Sequence, residues 1–444
     1  MQSSLFPNSN DEQSEIFKTI GVKFFSELVQ DLPKEKLNPD LNVIDALNEK
    51  ELSQELSCLG EKNFILAPNR SFLGGGIYYR FIPSIVDYLT SRSEFYTAYT
   101  PYQPEMSQGT LVSIFEFQTY MAELTGMEIS NASLYDGATA LAESIIMASR
   151  ISPKKEKKFL IVGALAPHYR KVLDTYNEGL NYDIKYLEDD DNLELDEELS
   201  SIVLMYPNYF GQVLNNDKII NQAKQKGIGI IMGVPNPLAL GLFKSPGEYG
   251  ADIVFGEAVS LGSNPSFGGP ALGFITTKTD FVRHIPGRIV GETIDKNDKV
   301  GYVLTFQTRE QHIRRERATS NICSNQGLMA LRTTMYLSSL GKEGIENLAK
   351  DIFEKTQILK NKLSAISDFV IDRNLSFQDV LISSDLIDFN ELNRFLRERN
   401  IQGGIVLSDQ DAYWDGLYLL SVNDFTKESD IDDLVCAIEG FINE

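Results

Sequence analysis

Short apolar runs alternate with helical patterns between about residues 159 and 278. The runs are FLIVGAL, YDIKYLE, SIVLMYPN, GIGIIMGV, ADIVFGEA and ALGFITTK. Several of them are apolar throughout, as expected of strands that are buried on both faces of a sheet. Two helical patterns that end at or near a glycine lie between the runs, PHYRKVLDTYNEGL and NNDKIINQAKQKG. The pattern predicts an α/β fold with a doubly wound, mostly parallel sheet.

The sequences on either side predict two further parts. IFKTIGVKFFSELVQDLP is apolar at helical spacing, which indicates an N-terminal helical arm over residues 1–60. The large α/β domain is then predicted over residues 61–325. Residues 326–444 begin with a long helix and continue as strand, helix, strand, strand, helix, which indicates a linking helix and a small α+β domain. This arrangement favours a ligand site at the carboxyl ends of the large domain's strands.

Charge and composition disfavour several classes of function. The chain has 41 Lys and Arg against 63 Asp and Glu, a net charge of -22, so we expect neither nucleic-acid nor membrane binding. Its first residues, MQSSLFPNSNDEQSEIF, resemble neither a secretory signal nor a transit peptide, and we expect a cytoplasmic protein. Cys58, Cys323 and Cys436 are far apart in sequence, which predicts reduced thiols and no metal site.

The segment SLYDGATALAES contains small residues at a predicted helix N-terminus. Asp136 is the expected N-cap, and Gly137, Ala138 and Thr139 form the first turn. Small residues let backbone N–H groups approach an anion, so this turn is a candidate phosphate cradle. The alternative is a capped helix that packs closely on the sheet, with Asp136 itself filling the cap.

Tyrosines at regular spacing follow in FYTAYTPYQPEMSQG. Tyr96, Tyr99 and Tyr102 are three apart, and Pro101 and Pro104 oppose a regular helix. A rigid aromatic segment of this kind can line an active site or contact a partner. A buried connection is the alternative, and for an obligate oligomer we favour an interface.

Arginines are concentrated in TREQHIRRERATSNICSNQ, at Arg309, Arg314, Arg315 and Arg317. Their density suits the binding of a carboxylate or an acidic neighbour. A solvated helix face explains most of them equally well.

A lysine is missing from GEAVSLGSNPSFGGP, the loop after the strand ADIVF. A pyridoxal phosphate enzyme holds its cofactor on a lysine, which in this two-domain arrangement belongs in that loop. The loop has Ser260, Ser263 and Ser266 instead, and residues 233–236 (GVPN) supply no acid for the cofactor ring. Lys244 precedes the strand and Lys278 ends the next one, so neither lysine is well placed.

Three long segments resemble the glycine decarboxylase family, the P-protein of the glycine cleavage system, and in particular the first (α) subunit of its split bacterial form. They are YTAYTPYQPEMSQGTLVSIFEFQTYMAELTGMEISNASLYDGATALAES, GADIVFGEAVSLGSNPSFGGPALGF and QTREQHIRRERATSNICSNQ. The resemblance runs from about residue 10 to the C-terminus. It implies the aspartate-aminotransferase-like fold (fold type I) of pyridoxal-phosphate-dependent transferases.

The resemblance also implies a division of labour in an α2β2 tetramer. The β subunit carries the lysine and pyridoxal phosphate, and the complex decarboxylates glycine and passes the aminomethyl group to the lipoyl arm of H-protein, releasing CO2. On this chain it implies active-site-lining or interface residues and vestigial cofactor-site positions. The former are Tyr78, Tyr96, Tyr99, Tyr102, Glu105 and Arg317, and the latter are Asp136, Gly137, Thr139, Ser263 and Ser266.

Two other interpretations stay open at the level of sequence. One is a self-sufficient pyridoxal enzyme that uses Lys244 or Lys278. The other is a structural or regulatory paralogue that stabilises a catalytic partner without touching substrate. For H-protein docking on so acidic a chain, Arg314, Arg315 and Arg317 are the candidate basic patch.

Overall fold

The computed structural model describes residues 8–36, 43–96, 99–187, 193–306, 311–318, 320, 322 and 325–444. The chain separates into two compact units, an N-terminal unit that ends at Ile65 and a main unit from Leu66 to Glu444. The helices of the N-terminal unit are α1 Asn10–Ile20, α2 Phe25–Leu28 and α3 Glu49–Gly60. The predicted helical stretch 16–33 is divided, because Gly21 ends α1 with a left-handed φ of 81°.

The main unit begins with helices and then alternates strands with helices. Its first elements are α4 Ser84–Thr90, α5 Ser93–Tyr96, α6 Gln108–Thr125, β1 Ile129–Ser130, α7 Gly137–Ile151, β2 Lys158–Val162, α8 Pro167–Leu180, β3 Asp183–Leu187, β4 Ser201–Met205, α9 Asp217–Lys226, β5 Gly229–Val234, α10 Pro246–Tyr249, β6 Ile253–Glu257 and β7 Gly273–Thr277. The strands predicted from the six apolar runs are all present, and α8 has the predicted bounds.

The strands β1 to β7 form one sheet in the order β1-β7-β6-β5-β4-β2-β3. Strands β2 to β6 are parallel to one another, whereas β7 is antiparallel to β6 and to β1. Alternate strand residues pack on opposite faces, with α7 and α8 on one face and α9 on the other. The prediction of a doubly wound, mostly parallel sheet is confirmed, and β4, β5 and β6 end at the same edge.

A hairpin and a long helical segment follow the sheet. Strands β8 Ile289–Ile294 and β9 Val300–Thr305 pair antiparallel, and the short helix α11 Gln311–Arg314 comes next. Helix α12 Gly327–Leu363 is interrupted at Gly341, whose φ is 61°. The predicted long helix is therefore two helical segments that meet at a glycine.

The C-terminal region forms a four-stranded antiparallel sheet in the order β10-β11-β13-β12. Its elements are β10 Val370–Ile371, β11 Asp379–Ser383, α13 Phe389–Glu398, β12 Ile405–Val406, β13 Leu417–Ser421 and α14 Glu428–Ile442. The predicted succession of strand, helix, strand, strand and helix is present, with β10 added in front of it.

The beginning of the main unit is attached to this C-terminal sheet. Phe72 N–H donates to the carbonyl of Gln402 at 2.9 Å, and Ser421 N–H donates to the carbonyl of Phe72 at 2.9 Å. The large domain was predicted to begin at residue 61. The segment around Phe72, which lies within that prediction, is instead hydrogen-bonded to the C-terminal sheet. The division of the main unit at residue 325 stays a prediction. In the part of the chain that the structure describes, no helix is long and apolar enough to cross a lipid bilayer.

Helix α7 is buried along most of its length, since every residue from Gly137 to Ser149 is buried. We expect Leu141→Ala to lower the free energy of unfolding by about 2–5 kcal/mol, because Leu141 is fully buried against the sheet. The control Leu386→Ala removes the same atoms from a side chain that is 77% exposed and should change it by less than about 0.5 kcal/mol. Equal effects of the two substitutions in urea unfolding would contradict the described packing.

Candidate functional site

A cavity of about 410 Å³ lies at the edge where β4, β5 and β6 end. Its walls come from residues 75–78, the first turn of α7, the start of α8, the loop between β6 and β7, and the beginning of β11. This is the crevice that the order of the strands predicts, and its volume is that of a small-molecule site.

The carboxylate of Glu257 lies at the end of β6 and is surrounded by backbone donors. It accepts hydrogen bonds from Gly137 N–H at 2.9 Å, from Val259 N–H at 2.9 Å and from Leu272 N–H at 2.7 Å. Burial raises the pKa of Glu257 to about 7, in opposition to these three hydrogen bonds, which favour the charged form. One side chain thereby joins the first turn of α7 to both ends of the loop that follows β6.

Asp136 is the N-cap of α7, and its side chain accepts a hydrogen bond from Thr139 N–H at 2.7 Å. Gly137 follows it in close contact with its neighbours, since a Cβ there would lie 2.0 Å from the hydroxyl oxygen of Tyr169. The first turn of α7 is therefore both capped and closely packed. This is the alternative to a phosphate cradle that the sequence left open.

A second buried acid, Asp379, forms the opposite wall of the cavity. Tyr78 Oη donates to it at 2.5 Å, and Gly75 N–H donates to its other oxygen at 3.2 Å. Burial raises the pKa of Asp379 to about 6, and burial together with this carboxylate raises the pKa of Tyr78 well above its ordinary value. The predicted site residue Tyr78 is thus buried and hydrogen-bonded to an acid that lies 301 positions away in the sequence.

Aromatic rings and amides complete the cavity. His168 and Tyr169 stack with their ring centroids 4.9 Å apart, and both line it. Asn236, which follows β5, also lines it and donates to Gln378 Oε1 at 2.8 Å. The cavity can therefore surround a flat or polar group, and carboxylates are the charged groups in its wall.

The other predicted active-site residues lie elsewhere on the surface. Tyr96, Tyr99 and Tyr102 are 65%, 80% and 46% exposed, and none of them lines the cavity. The hydroxyl of Tyr102 accepts a hydrogen bond from Arg288 at 3.0 Å. Glu105 is exposed in a short turn, and the Arg317 side chain is 81% exposed. The structure thus brings together Tyr78, Asp136 and Gly137 but leaves these five residues outside the cavity.

Three of the vestigial positions inferred from the resemblance also lie outside the cavity lining. Ser263 contacts the sulfur of Met329 at 3.7 Å and Ser266 is exposed, whereas Val259, Gly268 and Ala271 are the residues of this loop that line the cavity. Thr139, two residues after Gly137 in α7, is buried and does not line the cavity.

The two lysines that were considered as substitutes are engaged elsewhere. Lys278 Nζ lies 2.5 Å from Asp252 Oδ1. Lys244 Nζ lies 3.6 Å from Asp217 Oδ1 and 3.9 Å from the centroid of the Tyr249 ring. Neither lines the cavity, as their positions in the sequence predicted.

Arg309 and Cys323 lie outside the described residues. Arg314 ends α11, and Arg315 and Arg317 bound the turn after it, all three exposed. The candidate basic patch is thus on the surface.

Sequence reasoning missed the two buried acids. Glu257 was visible as an acid at the end of an apolar run in IVFGEA, and that contrast is a usable signal for a buried functional carboxylate. Asp379 carries a similar signal in FQDVLIS. Its pairing with Tyr78, 301 positions away, depends on contacts that only the fold creates.

Residues 3–438 match the sequence pattern of the family described as "Glycine cleavage system P-protein". The chain belongs to this family. A protein of Thermomicrobium roseum named "Probable glycine dehydrogenase (decarboxylating) subunit 1" is 42% identical over 442 residues, which cover 97% of this chain and 98% of the relative. A protein of Listeria welshimeri with the same name is 42% identical over 446 residues, 98% of each chain.

Solved structures place the fold of this P-protein chain among pyridoxal-phosphate-dependent enzymes of fold type I. A crystal structure of glycine decarboxylase (P-protein) in inhibitor-bound form has a TM-score of 0.89 and 36% identity, and the match covers 99% of this chain and 100% of that one. A cysteine desulfurase from Escherichia coli has a TM-score of 0.61 at 12% identity, covering 90% and 99% of the two chains, and so shares the fold alone. The predicted fold class and family are confirmed.

Pyridoxal phosphate, which this fold implies, does not fit the cavity of this P-protein chain. Among the residues that the structure describes there, none is a lysine that could hold the cofactor covalently. The N–H of Gly137 is already bonded to Glu257, and Asp136 fills the cap beside it. A phosphate at this turn would meet two carboxylates instead of free donors.

The two raised pKa values predict how stability depends on pH. Glu257 and Asp379 bind protons more tightly in the folded chain than when unfolded, so the folded chain carries more protons between about pH 4 and pH 7. Stability should therefore fall as the pH rises through this range, and the fall should be smaller in the double variant Glu257→Gln, Asp379→Asn. Thermal unfolding at several pH values tests this. An unchanged slope, equal to that of the control Glu178→Gln, which replaces an exposed acid on α8, would exclude these acids as its source.

Proposed function

We propose that this chain is the non-cofactor half of a two-subunit glycine decarboxylase. Together with subunit 2 it decarboxylates glycine, releases CO2 and transfers the remaining aminomethyl group to the lipoyl arm of H-protein. The observation that carries the proposal is the cavity of a fold type I enzyme in a P-protein chain whose loop 258–272 lacks a lysine. The names of the relatives as subunit 1 support the expectation of a second subunit.

Pyridoxal phosphate belongs, in this proposal, to subunit 2 of an α2β2 tetramer. When bound there it supplies the electron sink for the carbanion that the loss of CO2 from glycine leaves behind. This chain then contributes by contact, orientation and exclusion of water from the shared active site.

The contact surface that we propose is the tyrosine segment, which consists of Phe95, Tyr96 and residues 99–106. Tyr96 and Tyr99 are largely exposed, and Tyr102 is anchored by Arg288 while it keeps nearly half of its surface accessible. Glu105 adds a charge at the end of the segment. Tyrosines combine large contact area with a polar hydroxyl and few rotatable bonds, and this is why they are enriched at interfaces.

The docking surface that we propose for H-protein includes the basic patch, Arg314, Arg315 and Arg317. These residues are exposed on a chain whose net charge is -22. Arg317 Nε lies 3.9 Å from Glu316 Oε1, and three arginines against this one acid leave the turn locally basic. A partner with acidic groups beside its lipoyl arm would be attracted to this patch and repelled by the rest of the surface.

The first test is exchange of the glycine carboxyl group with labelled bicarbonate, in the presence of lipoylated H-protein. We expect no exchange by this chain alone and a much higher rate after mixing with subunit 2 than subunit 2 gives alone. Exchange by the isolated chain would overturn the assignment, and so would a mixture no faster than subunit 2. A stimulated rate that no surface substitution on this chain alters would instead support a purely structural role.

The tyrosine segment is tested by Tyr99→Ser. Removal of the ring should weaken the association with subunit 2 about tenfold, because the aromatic anchors of an interface carry most of its energy. Tyr413→Ser is the matched control, since Tyr413 is 92% exposed and lies in the C-terminal region. Sedimentation or calorimetric titration gives both affinities. Equal affinities for the two variants would remove this segment from the interface.

A further inference from the structure

The Glu257 carboxylate fills a position built for an anion. Its two oxygens accept from three backbone N–H groups, those of Gly137, Val259 and Leu272, at 2.7–2.9 Å. One of these donors belongs to the first turn of the 15-residue helix α7, whose dipole favours negative charge. Converging backbone N–H groups of this kind are the usual means by which proteins bind phosphate.

The space above the first turn of α7 is also occupied. A Cβ on Gly137 would lie 3.0 Å from the Cβ of Glu257 and 2.0 Å from the hydroxyl oxygen of Tyr169. Asp136 occupies the donor of Thr139, so two carboxylates share the turn. An incoming phosphate would lose its donors and meet two like charges.

The same carboxylate secures the loop between β6 and β7. Val259 and Leu272 lie near the two ends of this loop, and both donate to the same oxygen of Glu257. Within the sheet Glu257 is paired directly with Gly273. The base of the loop is therefore closed by a side chain of the protein itself, without any ligand.

We propose that Glu257 is an internal anion that takes the place of a ligand phosphate. This chain therefore does not bind phosphate-bearing ligands at this position, and Glu257 holds loop 258–272 in place without a bound phosphate. The role is one of specificity and positioning. It goes beyond the proposed function, because it concerns what this chain binds by itself. It applies whether or not the chain acts on glycine together with subunit 2.

The test replaces the carboxylate with a smaller group that is able to donate a hydrogen bond. In Glu257→Ser the three N–H groups lose their acceptor and space is opened for an anion. The full-length chain is titrated with inorganic phosphate, against sodium chloride of equal ionic strength, while its melting temperature is followed. We expect the variant to melt lower than wild type and to be restored by phosphate in a saturable way. Its apparent affinity for phosphate should be at least about tenfold above wild type.

The matched control is Glu248→Ser. Glu248 also accepts a backbone N–H, that of Ser245 at 2.9 Å, but it lies in a short helix outside the cavity. Its substitution should leave the chain without a specific response to phosphate. Phosphate binding by wild type as tight as by Glu257→Ser would overturn the proposal, and so would a folded Glu257→Ser chain that does not respond to phosphate.

A second variant keeps the proposal testable should Glu257→Ser not fold. Glu257→Gln preserves the size of the side chain but replaces one of its two acceptor oxygens with an amide N–H₂ group, which cannot accept a hydrogen bond. At least one of the three backbone N–H groups then loses its acceptor. Amide hydrogen exchange at Gly137, Val259 or Leu272 should accelerate at least about tenfold in this variant. Exchange as slow as in wild type at all three amides would show that the carboxylate does not hold the loop.

Discussion

The burial of one carboxylate, that of Glu257, governs the arrangement of the site. An ionised group that is removed from water costs several kcal/mol unless hydrogen bonds compensate for the loss. Here the compensation comes from backbone N–H groups on α7, on the start of the loop and on the end of the loop just before β7. These three segments must therefore remain together, and the cavity keeps its form on the side where other proteins use a bound anion.

The opposite side of the cavity depends on a second polar network, centred on Gln378. Its Oε1 accepts from Arg80 at 2.6 Å and from Asn236 at 2.8 Å, and its Nε2 donates to the carbonyl of Val422 at 2.9 Å. Burial lowers the pKa of Arg80, which is 1% exposed. The network bonds the end of β5 to the C-terminal sheet and to the segment near Tyr78. Because unsatisfied buried polar groups are costly, it fixes the two parts of the main unit at the cavity.

The sequence predicted what local patterns determine. Six of the seven strands of the central sheet, all except β1, and helix α8 follow from apolar runs and helical spacing. Asp136 is the N-cap that its position before Gly137 indicates. The hairpin β8–β9 was not predicted, and the attachment of Phe72 to the C-terminal sheet joins residues far apart in the chain. The Tyr78–Asp379 pair could not be predicted for the same reason, since its two residues are 301 positions apart. Non-local pairs leave no periodic signal, and the separation of the tyrosine segment from the cavity depends on the same long-range geometry.

The central claim is that this chain retains the fold of a pyridoxal enzyme while the cofactor belongs to its partner. Its most direct test is to reduce the purified complex of this chain and subunit 2 with borohydride, in the presence of pyridoxal phosphate, and to map the labelled peptides. The account predicts a pyridoxyl group on a lysine of subunit 2 alone, one for each pair of unlike chains. A pyridoxyl group on a lysine of this chain, Lys244 or Lys278 included, would contradict it.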